Sequence, residues 1–184
     1  MASGPSLCTE DCELVRCAGV PSIVTNTTFR MAPWADVLFG VDAVWWARYH
    51  EEVEADFKGA RLTTSQQATK YGAMNLSAKP WFRNFGNSGA CAISLAVVGG
   101  AARVILLGYD AQKTGGQVHW HGDHPANMSN ARSMKTWPGK FSQLAGYARR
   151  QNCRVINASR ETALRCFQRG RLADELQILA ALGR

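Results

Sequence analysis

The sequence predicts an α/β protein: one domain over residues 1–184, three layers, with helices on both faces of a mostly parallel sheet. Three observations carry that prediction. Short apolar runs at Ser22 to Thr25, Val37 to Val41, Val104 to Leu107 and Arg154 to Ile156 are bounded by Gly, Asn and Asp, and unbroken apolar character suits strands covered on both faces. Segments of helical spacing lie between them. The length of 184 residues, 46% hydrophobic and 19% charged, fits one well-buried core and argues against disorder. Strands alternating with helices call for right-handed βαβ crossovers, and so for a doubly wound, Rossmann-like sheet.

The elements follow in order. Ser3-Gly4-Pro5-Ser6-Leu7 forms a short glycine loop before a first helix, for which Thr9 is the predicted N-cap. Glu10 and Asp11 occupy its first turn, where acidic groups suit the helix dipole, and Leu14, Val15 and Ala18 share a face. No strand precedes this loop, so either the first strand of the unit is missing or the loop is an ordinary turn. The strand ending at Thr25 runs into Asn26, and the one ending at Val41 runs into Asp42. Asp42 to Phe57 then reads as a helix carrying Val44, Trp45, Val53 and Phe57 among charges. Arg61 to Thr63 and Ala73 to Leu76 are weaker strand candidates.

Asn87-Ser88-Gly89 opens a helix rich in small residues, with Asn87 or Ser88 able to cap its free amides. The Val104 strand leads into Gly108-Tyr109-Asp110. Residues 111–137 lack an apolar period and read as a long functional loop. Pro138 marks the start of a helix with Phe141, Leu144, Ala145 and Ala148 at helical spacing, and Leu172 to Leu182 forms the last, with Leu172, Leu176 and Leu179 on one face.

Charge and cysteine usage narrow the classes. Twenty-one Lys and Arg stand against 14 Asp and Glu, a net charge of +7, which favours anionic partners without specifying a fold. The late cluster Arg149, Arg150, Arg154, Arg160, Arg165, Arg169 and Arg171 has no nucleic-acid motif beside it and reads as a solvated basic face. The six cysteines include no Cys-x-x-Cys pair and no signal peptide accompanies them, which predicts free thiols in a soluble, cytoplasmic protein. Cys91 and Cys153 read as small core residues. The longest apolar runs fall short of the roughly 18–20 residues that cross a bilayer. A homo-oligomer is compatible with this composition.

Candidate chemistry gathers at the strand ends. In an open parallel sheet Asn26, Asp42 and Asp110 would share the carboxyl edge, where such sheets keep their ligands. Gly4, Pro5 and Ser6 in the first loop, and Asn87, Ser88 and Gly89 at a helix start, suit phosphate capture by backbone amides, with Gly89 allowing close approach. Each of these residues also serves as an ordinary turn former or cap. The run His119-Trp120-His121-Gly122-Asp123-His124 offers three imidazoles. His119 and His121 would point the same way on an extended segment, and imidazole with carboxylate suits zinc or iron. As general bases or phosphate donors the histidines need no metal, and the site is expected to hold none. Trp81 and Arg83 could stack on a base or meet a phosphate, while Phe82 packs on the sheet.

Ser-Gly-Pro-Ser-Leu at 3–7, Asn26 after its strand, Asn87-Ser88-Gly89, Leu-Leu-Gly-Tyr-Asp at 106–110, His-Trp-His-Gly-Asp-His-Pro and Asn157-Ala158-Ser159 together resemble a family of phage and prophage proteins. More distantly the pattern is similar to bacterial family 42 sialyltransferases and to motility-associated glycosyltransferase-like proteins. The resemblance implies a Rossmann-like sheet that binds a nucleotide or nucleotide sugar without a metal or other cofactor, and a histidine base. It would place Gly4, Pro5, Ser6 and Asn26 at the nucleotide, Asn87, Ser88 and Gly89 beside its phosphates, and Asp110 where it shapes the site. His119, His121 and His124 are all candidates for the base. A non-catalytic phage accessory or structural protein and a metal-dependent hydrolase remain alternatives.

Overall fold

A computed structural model of the chain describes residues 1–125, 128 and 133–181. Five α-helices appear among them: α1 Thr9–Ala18, α2 Ala43–Asp56, α3 Ser88–Val98, α4 Trp137–Arg150 and α5 Leu172–Ala181. The strands are β1 Ile23–Thr25, β2 Val37–Phe39, β3 Ala60–Thr63, β4 Met74–Asn75, β5 Arg103–Leu106, β6 Arg154–Asn157 and β7 Gln168–Arg169. Every pairing between these strands is parallel, in the orders β1-β2-β3-β4 and β5-β6-β7, with Ile23 opposite Val37 and Arg103 opposite Arg154.

Residues Met1 to Gly4 fill the seam between the two sets. Toward β1, the Met1 amine donates to the Ile23 carbonyl at 2.6 Å and the Thr25 amide donates to the Met1 carbonyl at 3.1 Å. One residue bonded to two neighbours that flank a third is the pattern of a parallel pair. Toward β5, the Ala2 amide donates to the Leu107 carbonyl at 2.8 Å and the Gly4 amide to the Gly108 carbonyl at 2.9 Å. The backbone of Met1 to Gly4 therefore stands where a strand before the first loop would lie. Met-Ala-Ser-Gly is too short and too polar to read as a strand, yet its backbone completes the ladder. The arrangement is Rossmann-like, with the strand order reversing at this stretch.

Both faces are covered, which is why the strand runs are apolar throughout. Val24 and Leu38 pack with Trp45, Trp46, Val53 and Phe57 on the α2 face. Phe39 and Leu62 pack with Phe82, Cys91 and Ala92 on the α3 face. Beyond the seam, Leu106 and Val155 join Ile93, Phe141 and Leu144 of α3 and α4, while Leu107 meets Cys12, Val15 and Leu172 of α1 and α5. Phe82 stacks on Phe39 with ring centroids 5.9 Å apart, whereas Trp81 is 53% exposed. Ion pairs tie the outer helices down: Arg160 forks onto Asp11 of α1 at 3.0 and 3.2 Å, and Arg103 of β5 pairs with Glu175 of α5.

Several details differ from expectation. Thr9 is the first helical residue rather than the cap, and Cys8 at the N-cap makes no side-chain cap bond. Leu14 and Val44, placed on apolar faces by spacing, are exposed. Asp42 holds the N-cap position of α2 without a capping bond from its side chain, whereas the Asn87 carboxamide oxygen caps α3 by accepting from the Ala90 amide at 3.1 Å. The two-residue edge strand β7 and the 3-10 helices at Asn26–Arg30, Gln66–Tyr71 and Met134–Thr136 are too short to carry a sequence period. Part of the predicted long loop (126, 127 and 129–132) and the predicted helix end at Leu182 lie outside the described residues. All six cysteines are free thiols, Cys91 and Cys153 among the buried ones. Among the described residues no helix is long and apolar enough to cross a membrane.

Candidate functional site

A cleft of about 480 Å³ opens where the Met1 to Gly4 stretch and β5 end side by side. That is the point of strand-order reversal, where divergent loops leave room for a ligand. Gly4, Asn26, Asp42 and Asp110 line it from four separate loops, Asn87, Ser88 and Gly89 from the start of α3, and His119 and His124 from the histidine run. Pro5, Ser6 and His121 are not part of the lining.

Asp110 organises one wall. It is 1% exposed; one carboxylate oxygen accepts the Ser6 hydroxyl at 2.6 Å, and the other accepts the Ser6 amide at 3.0 Å and the Thr114 hydroxyl at 2.9 Å. Three donors from the protein occupy its oxygens and fix the Ser3 to Ser6 loop. Asp110 thus shapes the site, and Ser6 faces Asp110 instead of the cleft. Gly4 is required here, because a Cβ on it would lie 2.2 Å from the Asp110 carboxylate and 2.4 Å from the Gly108 carbonyl.

The preceding residue is clamped from behind. The Tyr109 amide donates to the Ser159 hydroxyl at 2.8 Å, and the Thr162 hydroxyl donates to the Tyr109 carbonyl at 2.7 Å. Asn157 joins these two by donating to Thr162 at 3.0 Å and accepting from the Ser159 amide at 3.1 Å. The Tyr109 hydroxyl reaches the Gly89 carbonyl at 3.1 Å, and a Cβ on Gly89 would lie 2.9 Å from the Tyr109 ring. Gly89 therefore makes room for Tyr109 and also lines the cleft.

At the mouth of α3 the Ser88 hydroxyl accepts from the Val41 amide at 3.1 Å and donates to the Asn26 carboxamide oxygen at 3.3 Å. Asn26 takes a left-handed backbone, φ 48°, which Asn tolerates better than most residues. Ser88 thus ties the strand ends after β1 and β2 to the helix start. The opposite wall, supplied by Met134, Trp137, Phe141 and Leu164, is apolar. Trp137, four residues before Phe141 on α4, could have been found by extending the spacing of that helix by one turn.

The histidine run is pinned to the first loop. The Trp120 amide donates to the Ser3 carbonyl at 3.0 Å, and the Ser3 hydroxyl lies 3.1 Å from Nδ1 of His119. A turn at Gly122, φ 82°, closed by its amide on the His119 carbonyl at 3.1 Å, folds the run back. The His119 and His121 rings stack at 5.1 Å with 8° between planes, and each stands 4.8 Å from the His124 ring. Burial, then the neighbouring imidazoles, push His119 and His121 down to about 4. Burial also lowers His124, opposed by Asp42 and Asp123. Burial raises Asp42, opposed by His124.

A pH prediction follows from those directions. Bases whose folded pKa lies below the unfolded value stabilise the fold above about 6.5 and lose that contribution as pH falls toward the folded value. In chelator-treated protein the urea midpoint should drop between pH 6.5 and about 4, the folded value of His119 and His121, and His121→Gln should make the drop shallower. An equally steep profile in that variant would locate the acid sensitivity elsewhere.

Trp81 and Arg83, considered for base and phosphate contacts, lie outside the cleft lining, and Arg83 stacks over Phe85 and Tyr147 at 5.4 Å. The seven late arginines are exposed. No family model, no curated protein and no solved structure matches the chain.

Proposed function

We propose that the cleft binds a nucleotide or nucleotide sugar, in a cytoplasmic, phage-type protein of glycosyltransferase-like design. The observation that supports this most is the convergence of Gly4, Asn26, Asp42 and the Asn87-capped start of α3 on one cleft at the strand-order reversal. The positive end of an 11-residue helix attracts phosphate, and the first-turn amides of Ser88 and Gly89 are the donors it would meet. Asn26 and Asp42 suit sugar hydroxyls. The apolar wall of Met134, Trp137 and Phe141 suits a base. A volume of about 480 Å³ is of the size that small-molecule sites have. In a glycosyl transfer, a neutral imidazole of the His119 to His124 wall would accept the proton of the acceptor hydroxyl.

Thermal unfolding in the presence of nucleoside mono- and diphosphates and nucleotide sugars tests the reading. A ligand at 100 times its dissociation constant adds about 2.7 kcal/mol to the native state, roughly 5–10 °C for a chain of this size. Asn87→Ala should shrink the shift. No shift with any of these ligands at millimolar concentration would sink the proposal.

A further inference from the structure

His119, His121 and His124 come from one short run, and one ring nitrogen of each lies within 4.8 Å of the other two. We propose that these three side chains form a binding site for a divalent first-row transition ion, zinc foremost, on the wall of the cleft. The inference goes beyond nucleotide binding and does not depend on it.

Four features of the run support the assignment. First, Nε2 of His119 and Nε2 of His121 are buried and have no hydrogen-bond partner. A buried imidazole nitrogen without a partner is costly, and coordination supplies one. Second, Nδ1 of His119 stands 3.1 Å from the Ser3 hydroxyl. Donation of the Nδ1 proton to that oxygen leaves the Nε2 lone pair for an ion, the support that ligating histidines usually have. Third, the geometry is close to complete. A tetrahedral zinc with nitrogens at 2.0–2.1 Å holds them about 3.4 Å apart, so ion binding would draw together nitrogens that now lie within 4.8 Å of one another. The Gly122 turn and the Trp120 amide bond to Ser3 hold the backbone in place for this. Fourth, Asp42 and Asp123 lie near enough to His124 for their charges to act on it, which favours a cation. Arg30 acts on His121 in the opposite sense, but its guanidinium is paired with Glu52 at 2.5 and 2.7 Å.

Three imidazoles select zinc, copper or nickel over magnesium or calcium, which prefer oxygen. His119 and His124 line the cleft, so an ion held here would keep a coordination position facing it, the pattern of zinc sites with three protein ligands and an exchangeable fourth. Phosphate of a cleft ligand could take that position, and a cation would offset the Asp42 carboxylate that phosphate would otherwise face. This pairing, unlike the ion site, rests on the nucleotide reading. A nitrogen that ligates an ion does not accept a proton, so the proton-accepting role proposed for this wall belongs to the ion-free protein or to a ring nitrogen left outside the coordination.

The test uses the full chain without a histidine tag, stripped with a chelator and titrated with zinc or cobalt alone. Expected are stoichiometric zinc binding tighter than about 1 µM, a rise in unfolding temperature, and visible cobalt d–d bands without the thiolate charge-transfer band that cysteines would give. Magnesium should produce no such response. His121→Ala and His119→Asn should each weaken zinc by more than the ~10–100-fold that second-shell losses cost, while His50→Gln on α2 should change nothing. Imidazole nitrogen resonances of the unaltered protein should shift on zinc addition for His119, His121 and His124 and stay fixed for His50, a readout independent of how any variant folds. Absent stoichiometric binding, a thiolate band, or unchanged affinity in a folded His121→Ala protein would each overturn the site. Failure with the ion leaves nucleotide binding standing, and failure with nucleotides leaves the ion site standing.

Discussion

Gly4→Ala should destabilise the protein by about 3–5 kcal/mol, the sum of overpacking and lost buried hydrogen bonds, lowering the unfolding temperature by roughly 10 °C. The added Cβ meets the Asp110 carboxylate and the Gly108 carbonyl, neither of which is the end of a flexible side chain free to step aside. Relief requires moving the first loop away from β5, which breaks the Gly4 to Gly108 hydrogen bond and loosens the Ser6 contacts of Asp110. The same displacement opens the cleft wall, so ligand-induced stabilisation should vanish along with the stability. Gly139→Ala is the matched control, because a Cβ there meets nothing within 4 Å on α4 and should add about 0.5–1 kcal/mol through helix propensity. Urea denaturation of both variants checks the pair; equal effects would mean that the Gly4 contact is easily relieved.

Asn157→Ala should cost about 2–4 kcal/mol. Asn157 is fully buried and makes two hydrogen bonds, to Thr162 and from the Ser159 amide. Truncation leaves a buried amide unsatisfied and a void behind it. The effect reaches the cleft, because Ser159 and Thr162 are the groups that hold the Tyr109 amide and carbonyl. Ligand affinity should therefore fall in a variant whose altered residue lies outside the cleft lining. Unchanged affinity at reduced stability would show that the Gly108 to Asp110 turn keeps its shape without this network.

The strands and the cap of α3 were legible because their signals are local. The Val104 run is apolar since both faces of β5 are packed, and Asn87 stands where a capping oxygen is needed. The carboxyl-edge residues Asn26, Asp42 and Asp110 were legible as a set because a parallel sheet sends all its strand ends to one side. What escaped depends on pairings across long stretches of chain. Nothing near Ser6 announces that its hydroxyl belongs to Asp110, and nothing near His119 announces Ser3. The parallel aim of His119 and His121 follows from extended-chain geometry, but the return of His124 needs the Gly122 turn. The sequence shows the charge of Asp110 and not the three donors around it.

The Met1 to Gly4 stretch also sets a timetable. Its backbone partners on one side lie at Ile23 and Thr25, but those on the other lie at Leu107 and Gly108. During synthesis the β1 side is available early, whereas the β5 side appears after about 80 further residues, on the order of 4–16 s at 5–20 residues per second. For that interval one edge of the nascent sheet stays open to other chains. Aggregation losses in this protein should therefore track translation speed between β1 and β5 more than the final stability of the fold.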